Sequence, residues 1–338
     1  LYALLRDDVV TVASCIRLYR SNDGGLTSFE VDSANSPASI SSFGVCFAGN
    51  TLHVFYKNLG TNVLEYTSFS FLTQAWSGVV DSSGINMGAG GQPIYVVIRS
   101  TGELVVFYRM NFLGTDSWYL LYNAGVWGAP VQVSGTPGEP GGTVRSANGL
   151  LVDASDVVHF FYFPVVFFGN YTQYHRGMSA GNVLDARQDL FVIPSATTNG
   201  PIIGVPTVWG GDLVLPFNRY IGAGPIWHTS VLYGTTSAMT SPVWTDETVD
   251  ATEPAANTGS LGGNTVTFAE LNAAGELMVW WQTPYTPYLT NKLLYSINTG
   301  VGFAAPVSVY DLTVDPNPDP TVANQFLHDI AIVLRVGG

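Results

Sequence analysis

Four cations stand at the same place in a recurring apolar segment: Arg6, Lys57, Arg109 and Arg219 each end a run of hydrophobic residues. A guanidinium offers a carboxylate two parallel N–H bonds, and an ammonium adds a point charge. A rim that gathered these four would therefore bind an anion. Long basic side chains at strand ends also reach solvent while their stems cover apolar surface, and a repeat copies such a position without any ligand. The carboxylates form no comparable set. Asp7-Asp8 and Asp246-Glu247 are adjacent in sequence, and neighbours on a strand point to opposite faces. Glu103 and Glu276 each sit in a Gly-Glu-Leu turn, which reads as turn chemistry copied by a repeat. Five histidines are scattered at 53, 159, 175, 228 and 328, and none has metal-ligand spacing; His53 and His159 share one repeat position. No glycine-rich phosphate loop precedes a helix, and Asp315-Pro-Asn-Pro-Asp319-Pro reads as an extended linker rather than a calcium loop. These residues imply neither metal nor cofactor and supply no complete catalytic set.

The charge balance narrows the partners. The net charge is −13, with only Lys57 and Lys292 beside ten arginines. A nucleic-acid surface would need a basic stripe, and an anionic membrane would repel this chain. No apolar run is long enough to span a bilayer. Cys15 and Cys46 fall in neighbouring expected strands, either as two buried thiols or as one disulfide if their Cβ atoms face each other.

The elements that position these residues follow from composition and repetition. Hydrophobic residues make up 46% of the 338, charged residues 11%, and 37 glycines and 19 prolines supply turns. That is a strand-and-turn composition with ample material for a core. The apolar segment recurs as Leu1–Arg6, Leu52–Lys57, Leu104–Arg109, Val158–Phe163, Val214–Arg219 and Leu277–Gln282, in steps of 51, 52, 54, 56 and 63 residues. Each is followed by a second strand and then a short outer strand, often with Trp or Phe: Trp76, Trp127, Trp244 and Phe303 mark four of them. All but the first are preceded by an inner strand such as Phe43–Phe47 or Ile94–Ile98. Four strands per unit at this period predict an all-β fold, a six-bladed β-propeller with four-stranded blades. The spare strand Asp329–Leu334 would complete the blade begun at Leu1 and remove an open edge. The expected domain is single, residues 1–338, with blades at 1–38 plus 324–338, 39–85, 86–138, 139–198, 199–255 and 256–323.

One turn is more specific. Ser21, Asp23, Gly25 and Thr27, followed by Phe29, resemble the Asp-box (Ser-x-Asp-x-Gly-x-Thr-Trp) of sialidase-like BNR-repeat propellers, with Ser28 where Trp is usual. Asp23 would accept backbone N–H bonds across the turn, and Gly25 would supply a positive φ. Such a box is a structural turn, so the resemblance implies fold rather than activity. A sialidase-like enzyme would also need an arginine cluster, a Tyr–Glu nucleophile pair and an Asp acid/base. The family's Arg-Ile-Pro motif is absent, and Leu5-Arg6-Asp7-Asp8 occupies that part of the chain.

The loops after the signature strands are unusually apolar. Phe112, Val166, Phe167, Phe168, Ile226, Trp227, Tyr285 and Tyr288 fall in them, all on one expected face. They either pack on each other, bind a protein subunit, or stack on sugar rings. The leading expectation is a non-catalytic interaction propeller in an extracellular or virion surface or tail assembly. Its partners would be glycans or other subunits, with no nucleic acid and no membrane insertion. A sialidase-like hydrolase and a multivalent lectin are the alternatives.

Overall fold

Short runs of β-branched and aromatic residues broken by Gly, Asn and Asp become antiparallel hairpins, and most of the described backbone is used that way. The structure, a computed structural model, describes residues 2–7, 15–20, 29–31, 40–88, 93–110, 116–134, 144–165, 171–193, 203–221, 226–235, 242–250, 268–282, 292–311 and 333–334. These residues form six small antiparallel sheets, divided between two compact units, residues 1–135 with 326–338 and residues 136–325.

In the first unit, sheet one joins β1 (Tyr2–Asp7), β2 (Cys15–Arg20), β3 (Phe29–Glu30) and β26 (Val333–Leu334) in the order β26-β1-β2-β3. Sheet two runs β4 (Ile40–Ala48), β5 (Thr51–Asn58), β6 (Val63–Ser70) and β7 (Ala75–Trp76), with β8 (Asp81–Asn86) also on β6. Sheet three runs β9 (Ile94–Ile98), β10 (Leu104–Arg109), β11 (Ser117–Asn123) and β12 (Val126–Trp127), with β13 (Val131–Gln132) also on β11. In the second unit, sheet four is β14 (Val144–Val152), β15 (Val158–Val165), β16 (Tyr171–Met178) and β17 (Gln188–Ile193). Sheet five is β18 (Thr207–Trp209), β19 (Asp212–Ile221), β20 (Ile226–Thr235) and β21 (Val243–Asp250). Sheet six is β22 (Phe268–Leu271), β23 (Leu277–Gln282), β24 (Lys292–Asn298) and β25 (Val307–Asp311). The C-terminal strand does pair with the N-terminal one: Tyr2 lies opposite Leu334 and Ala3 opposite Val333.

The signature strands read as continuous apolar runs because both of their faces are covered. Leu52, Val54 and Tyr56 of β5 pack on Ile16 and Leu18 of sheet one, while Phe55 between them packs on Leu104, Val106 and Tyr108 of sheet three. The second unit repeats the plan. Leu215 and Phe217 of β19 meet Phe161 of sheet four, and Val214 meets Leu277, Val279 and Trp281 of sheet six. Each fully buried large side chain contributes roughly 1.5–3 kcal/mol, and strict alternation delivers it to two neighbours at once. This face-to-face stacking of four-stranded sheets is propeller-type packing.

The outer-strand aromatics act between sheets. Trp127 of sheet three lies edge-on to Phe55 of sheet two at 5.7 Å, and Trp244 of sheet five lies edge-on to Phe161 of sheet four at 6.0 Å. Trp76 packs in the cluster with Ile16 and Leu18, and Phe303 in that of Val214. The second Trp has a local enabler. A Cβ on Gly234, the residue paired with Trp244, would come within 2.7–2.9 Å of the indole ring. Without it the ring lies across β20 toward sheet four.

Two expectations about loops change. The hairpin expected over residues 220–227 is tighter: Ile226 and Trp227 belong to β20, opposite Ile221 and Tyr220. Sheet four also has an outer strand, β17, that carries no Trp and escaped the repeat. Glu103 and Glu276 do serve their hairpins, bonded to Arg99 (3.2 Å) and Asn272 (2.7 Å) respectively.

One turn is suboptimal. Ala124-Gly125 links β11 and β12 as a two-residue hairpin loop, with φ of 48° and 87°. Left-handed backbone costs an alanine more than an asparagine, and Asn-Gly is the favoured pair for such loops. Ala124→Asn is expected to stabilise the protein by about 0.5–1 kcal/mol, read as a rise in the urea midpoint at unchanged slope.

Candidate functional site

The basic strand ends are placed by register. Arg6 pairs with Ile16, Lys57 with Leu64 and Arg109 with Ser117. All three are in phase, an even number of residues from the Leu4, Phe55 and Phe107 positions of their strands. Arg219 is not: it is in step with Leu215 and Phe217, which pack on the preceding sheet, whereas Phe55 packs on the following one. The sequence repeat was one residue out in β19, and Asn218 is the true counterpart of Lys57. A one-residue slip exchanges the faces of a strand. The structure thus groups Arg6, Lys57 and Arg109 by repeat position, all in the first unit, and separates Arg219.

Their environments differ. Lys57 is 0% exposed, and burial lowers its ammonium below the ordinary lysine value. Arg109 is half-buried, its guanidinium also lowered by burial, and its Nε has no hydrogen-bond partner among the described residues. The side chains of Arg6 and Arg219 lie outside the described set, as do those of Ile226, Trp227 and Phe29, and so do Phe112, Val166, Phe167, Phe168, Tyr285, Tyr288 and the Asp-box residues Ser21, Asp23, Gly25 and Thr27. Cys46 is a free thiol, pushed up to about 12 by burial.

A closely knit polar cluster lies in the second unit. Asp153 closes the β14–β15 turn, its Oδ1 accepting the N–H groups of Ser155 and Val157 at 2.8 and 2.9 Å. Its Oδ2 lies 3.3 Å from His159 Nε2. His159 Nδ1 lies 3.0 Å from His175 Nε2, with the ring centroids 5.2 Å apart and the ring planes within 21° of parallel. His175 Nδ1 is 2.9 Å from Gln188 Oε1, which also accepts from Trp244 Nε1 at 3.3 Å. Gln188 Nε2 donates to the Pro242 carbonyl at 3.1 Å. One chain of bonds thus runs from a turn of sheet four to β21 of sheet five.

The repeat foreshadows part of this. His53, at the same position as His159, bonds through Nδ1 to the Tyr66 hydroxyl at 2.9 Å, and Tyr66 stands opposite Phe55 as His175 stands opposite Phe161. Asp153 and Gln188 carried no sequence signal, since neither recurs. Both imidazoles of the pair have no exposed surface, so the cluster holds protons and position rather than offering a nucleophile to substrate. Among the described residues no three His, Cys, Asp or Glu side chains gather as a metal site, and no helix is long and apolar enough to cross a membrane.

No family model matches the chain, and no curated protein matches its sequence. Solved structures do share its fold. AofleA from Arthrobotrys oligospora is 12% identical over 87% of this chain and 79% of that one, with a TM-score of 0.51. A PL25 ulvan lyase, a polysaccharide lyase, is 10% identical over 88% and 78%, at 0.56. The periplasmic gluconolactonase PpgL of Pseudomonas aeruginosa is 14% identical over 91% and 83%, at 0.51. At these identities the likeness establishes the fold, a β-propeller-type arrangement of small antiparallel sheets.

Proposed function

We propose that the protein is a carbohydrate-recognising β-propeller: the six sheets are six blades, β26 closes the ring by completing the first, and the basic strand ends of the first unit give it a preference for acidic glycans. The observation that carries this reading is the in-phase series Arg6, Lys57 and Arg109 in three successive sheets, one-quarter of the 12 cations in a chain of net charge −13. Arg109 is the contact residue. Among the described residues its buried Nε has no hydrogen-bond partner, and an acidic oxygen would supply one, while Lys57, fully buried, adds positive potential from within the same unit. The ulvan lyase that shares the fold has been solved with a GlcA–Rha3S chain bound, an acidic sugar sequence, which supports the choice of ligand class. The role is recognition rather than turnover, in the setting of an extracellular or virion surface assembly.

Calorimetry against a panel of acidic and neutral oligosaccharides tests this. Uronate- or sulfate-bearing chains are expected to bind and their neutral counterparts to bind far more weakly. Arg109→Ala should lower affinity roughly 10- to 100-fold, the worth of a charge-assisted hydrogen bond. Arg109→Lys should recover little, because an ammonium cannot reproduce the fork. Equal binding by Arg109→Ala, or binding of neutral chains alone, overturns the assignment. Turnover of any bound glycan overturns the non-catalytic part.

A further inference from the structure

The protons of the buried chain Asp153–His159–His175–Gln188 can be counted from its far end. The Pro242 carbonyl can only accept, so the Gln188 nitrogen must face it. Trp244 Nε1 can only donate, so the Gln188 oxygen must face that ring. Turning the amide over would set oxygen against oxygen at Pro242 and N–H against N–H at Trp244, so its orientation is determined twice over. The same oxygen faces His175 Nδ1 at 2.9 Å; His175 therefore carries its proton on Nδ1. Its Nε2 is then a bare acceptor, and the 3.0 Å approach of His159 Nδ1 requires a proton on the latter. What remains is His159 Nε2, 3.3 Å from the Asp153 carboxylate, with side chains 0% and 4% exposed. A bare nitrogen there would set a lone pair against a buried anion.

The geometry points to a proton-locked latch: His159 holds protons on both ring nitrogens and forms a buried ion pair with Asp153, and this pair, through His175 and Gln188, pins β21 of sheet five to sheet four. The inference is independent of the proposed carbohydrate role. Losing the Nε2 proton turns an attraction into a repulsion between two groups buried from bulk solvent. Adding a proton to His175 instead places two cations 3.0 Å apart, which agrees with the lowering of His175 to about 3 by burial first and by His159 second. The latch is thus closed at one proton count and opened by a change in either direction. The other described charged groups on these strands are engaged elsewhere. Arg176 donates to the Asp185 carbonyl, Arg187 pairs with Asp189, and Glu247 accepts from Tyr233. Asp246 is exposed.

Ring-nitrogen NMR of the full chain, labelled with ¹⁵N-histidine, reads the protons directly. At neutral pH, His159 is expected to show two protonated nitrogens and His175 one, at Nδ1. In Asp153→Asn the new amide donates to His159 Nε2, so that nitrogen should lose its proton while the His175 tautomer stays. As pH is raised from neutral, amide exchange along β21, corrected for intrinsic rate, should accelerate in the native protein more than in Asp153→Asn. A singly protonated His159 in the native protein overturns the ion pair. Equal acceleration in both proteins overturns the latch.

Discussion

Acidification from about pH 7 to about pH 3 should remove of order 4 kcal/mol of stability from the second unit, through His175. This imidazole is fully buried and neutral, held down to about 3 by burial first and by neighbouring His159 second, with the bond to Gln188 pulling the other way. In the unfolded chain the same group takes its proton near 6.5. Between those values the unfolded state holds the extra proton, so stability rises with pH across that window by about 1.4 kcal/mol per unit. The contribution is complete above the upper value and is lost as pH falls toward the lower one. Asp153 extends the loss at the acid end. Burial raises its carboxyl, but the bond from His159 and the two backbone N–H groups offset this and leave it below its ordinary value. Its share therefore disappears only at lower pH. Urea denaturation of the native protein and His175→Gln, at several pH values from 7 to 4, would check the slope. The variant starts less stable, having lost its ring contacts with Phe161 and Trp244, and its curve should be the flatter one. Parallel curves would show that His175 is not the titrating group.

Gly44→Ala should cost about 3 kcal/mol, at the upper end of overpacking effects. Gly44 is on β4, and a Cβ there would fall on the carbonyl group of Ile94, inside van der Waals contact. Ile94 opens β9 of the next sheet, so β4 and β9 touch through their backbones. A flexible side chain could yield to the methyl group; a backbone carbonyl held by its own ladder cannot without shifting the strand. Gly60→Ala is the control, since its nearest neighbour would be 3.4 Å away, and its cost should stay within about 0.5 kcal/mol. Thermal or urea unfolding of the two variants measures the difference, and equal midpoints would contradict the close approach.

Much of this architecture was legible in the chain. The signature strands at Leu104–Arg109 and Leu277–Gln282 have the bounds their apolar runs suggest. The partner strands, the outer tryptophans and the pairing of the last strand with the first follow the same pattern. Local physics suffices there: apolar alternation, a turn residue and a β-branched run act within a few residues, and a repeat averages out the exceptions. The candidate site was legible only in outline. His53 and His159 declared a shared position, whereas Asp153 lies in the β14–β15 turn, Gln188 on β17 and Trp244 on β21, and they join one chain of bonds only in the packed structure.

The basic strand ends show where the division falls. Residue type and spacing alone marked Arg6, Lys57, Arg109 and Arg219 as one set, and for the first three the repeat position holds. Only the packed structure separates Arg219, because a slip of one residue leaves composition unchanged yet exchanges the two faces of a strand, and the faces are told apart by which neighbouring sheet covers them. Only the packed structure, too, makes Lys57 a buried charge rather than a solvent-seeking one, and sets the proton of His159 by bonds that begin a sheet away at Pro242. Strand and repeat are properties of neighbours in sequence. Burial, face and protonation are set by neighbours in space.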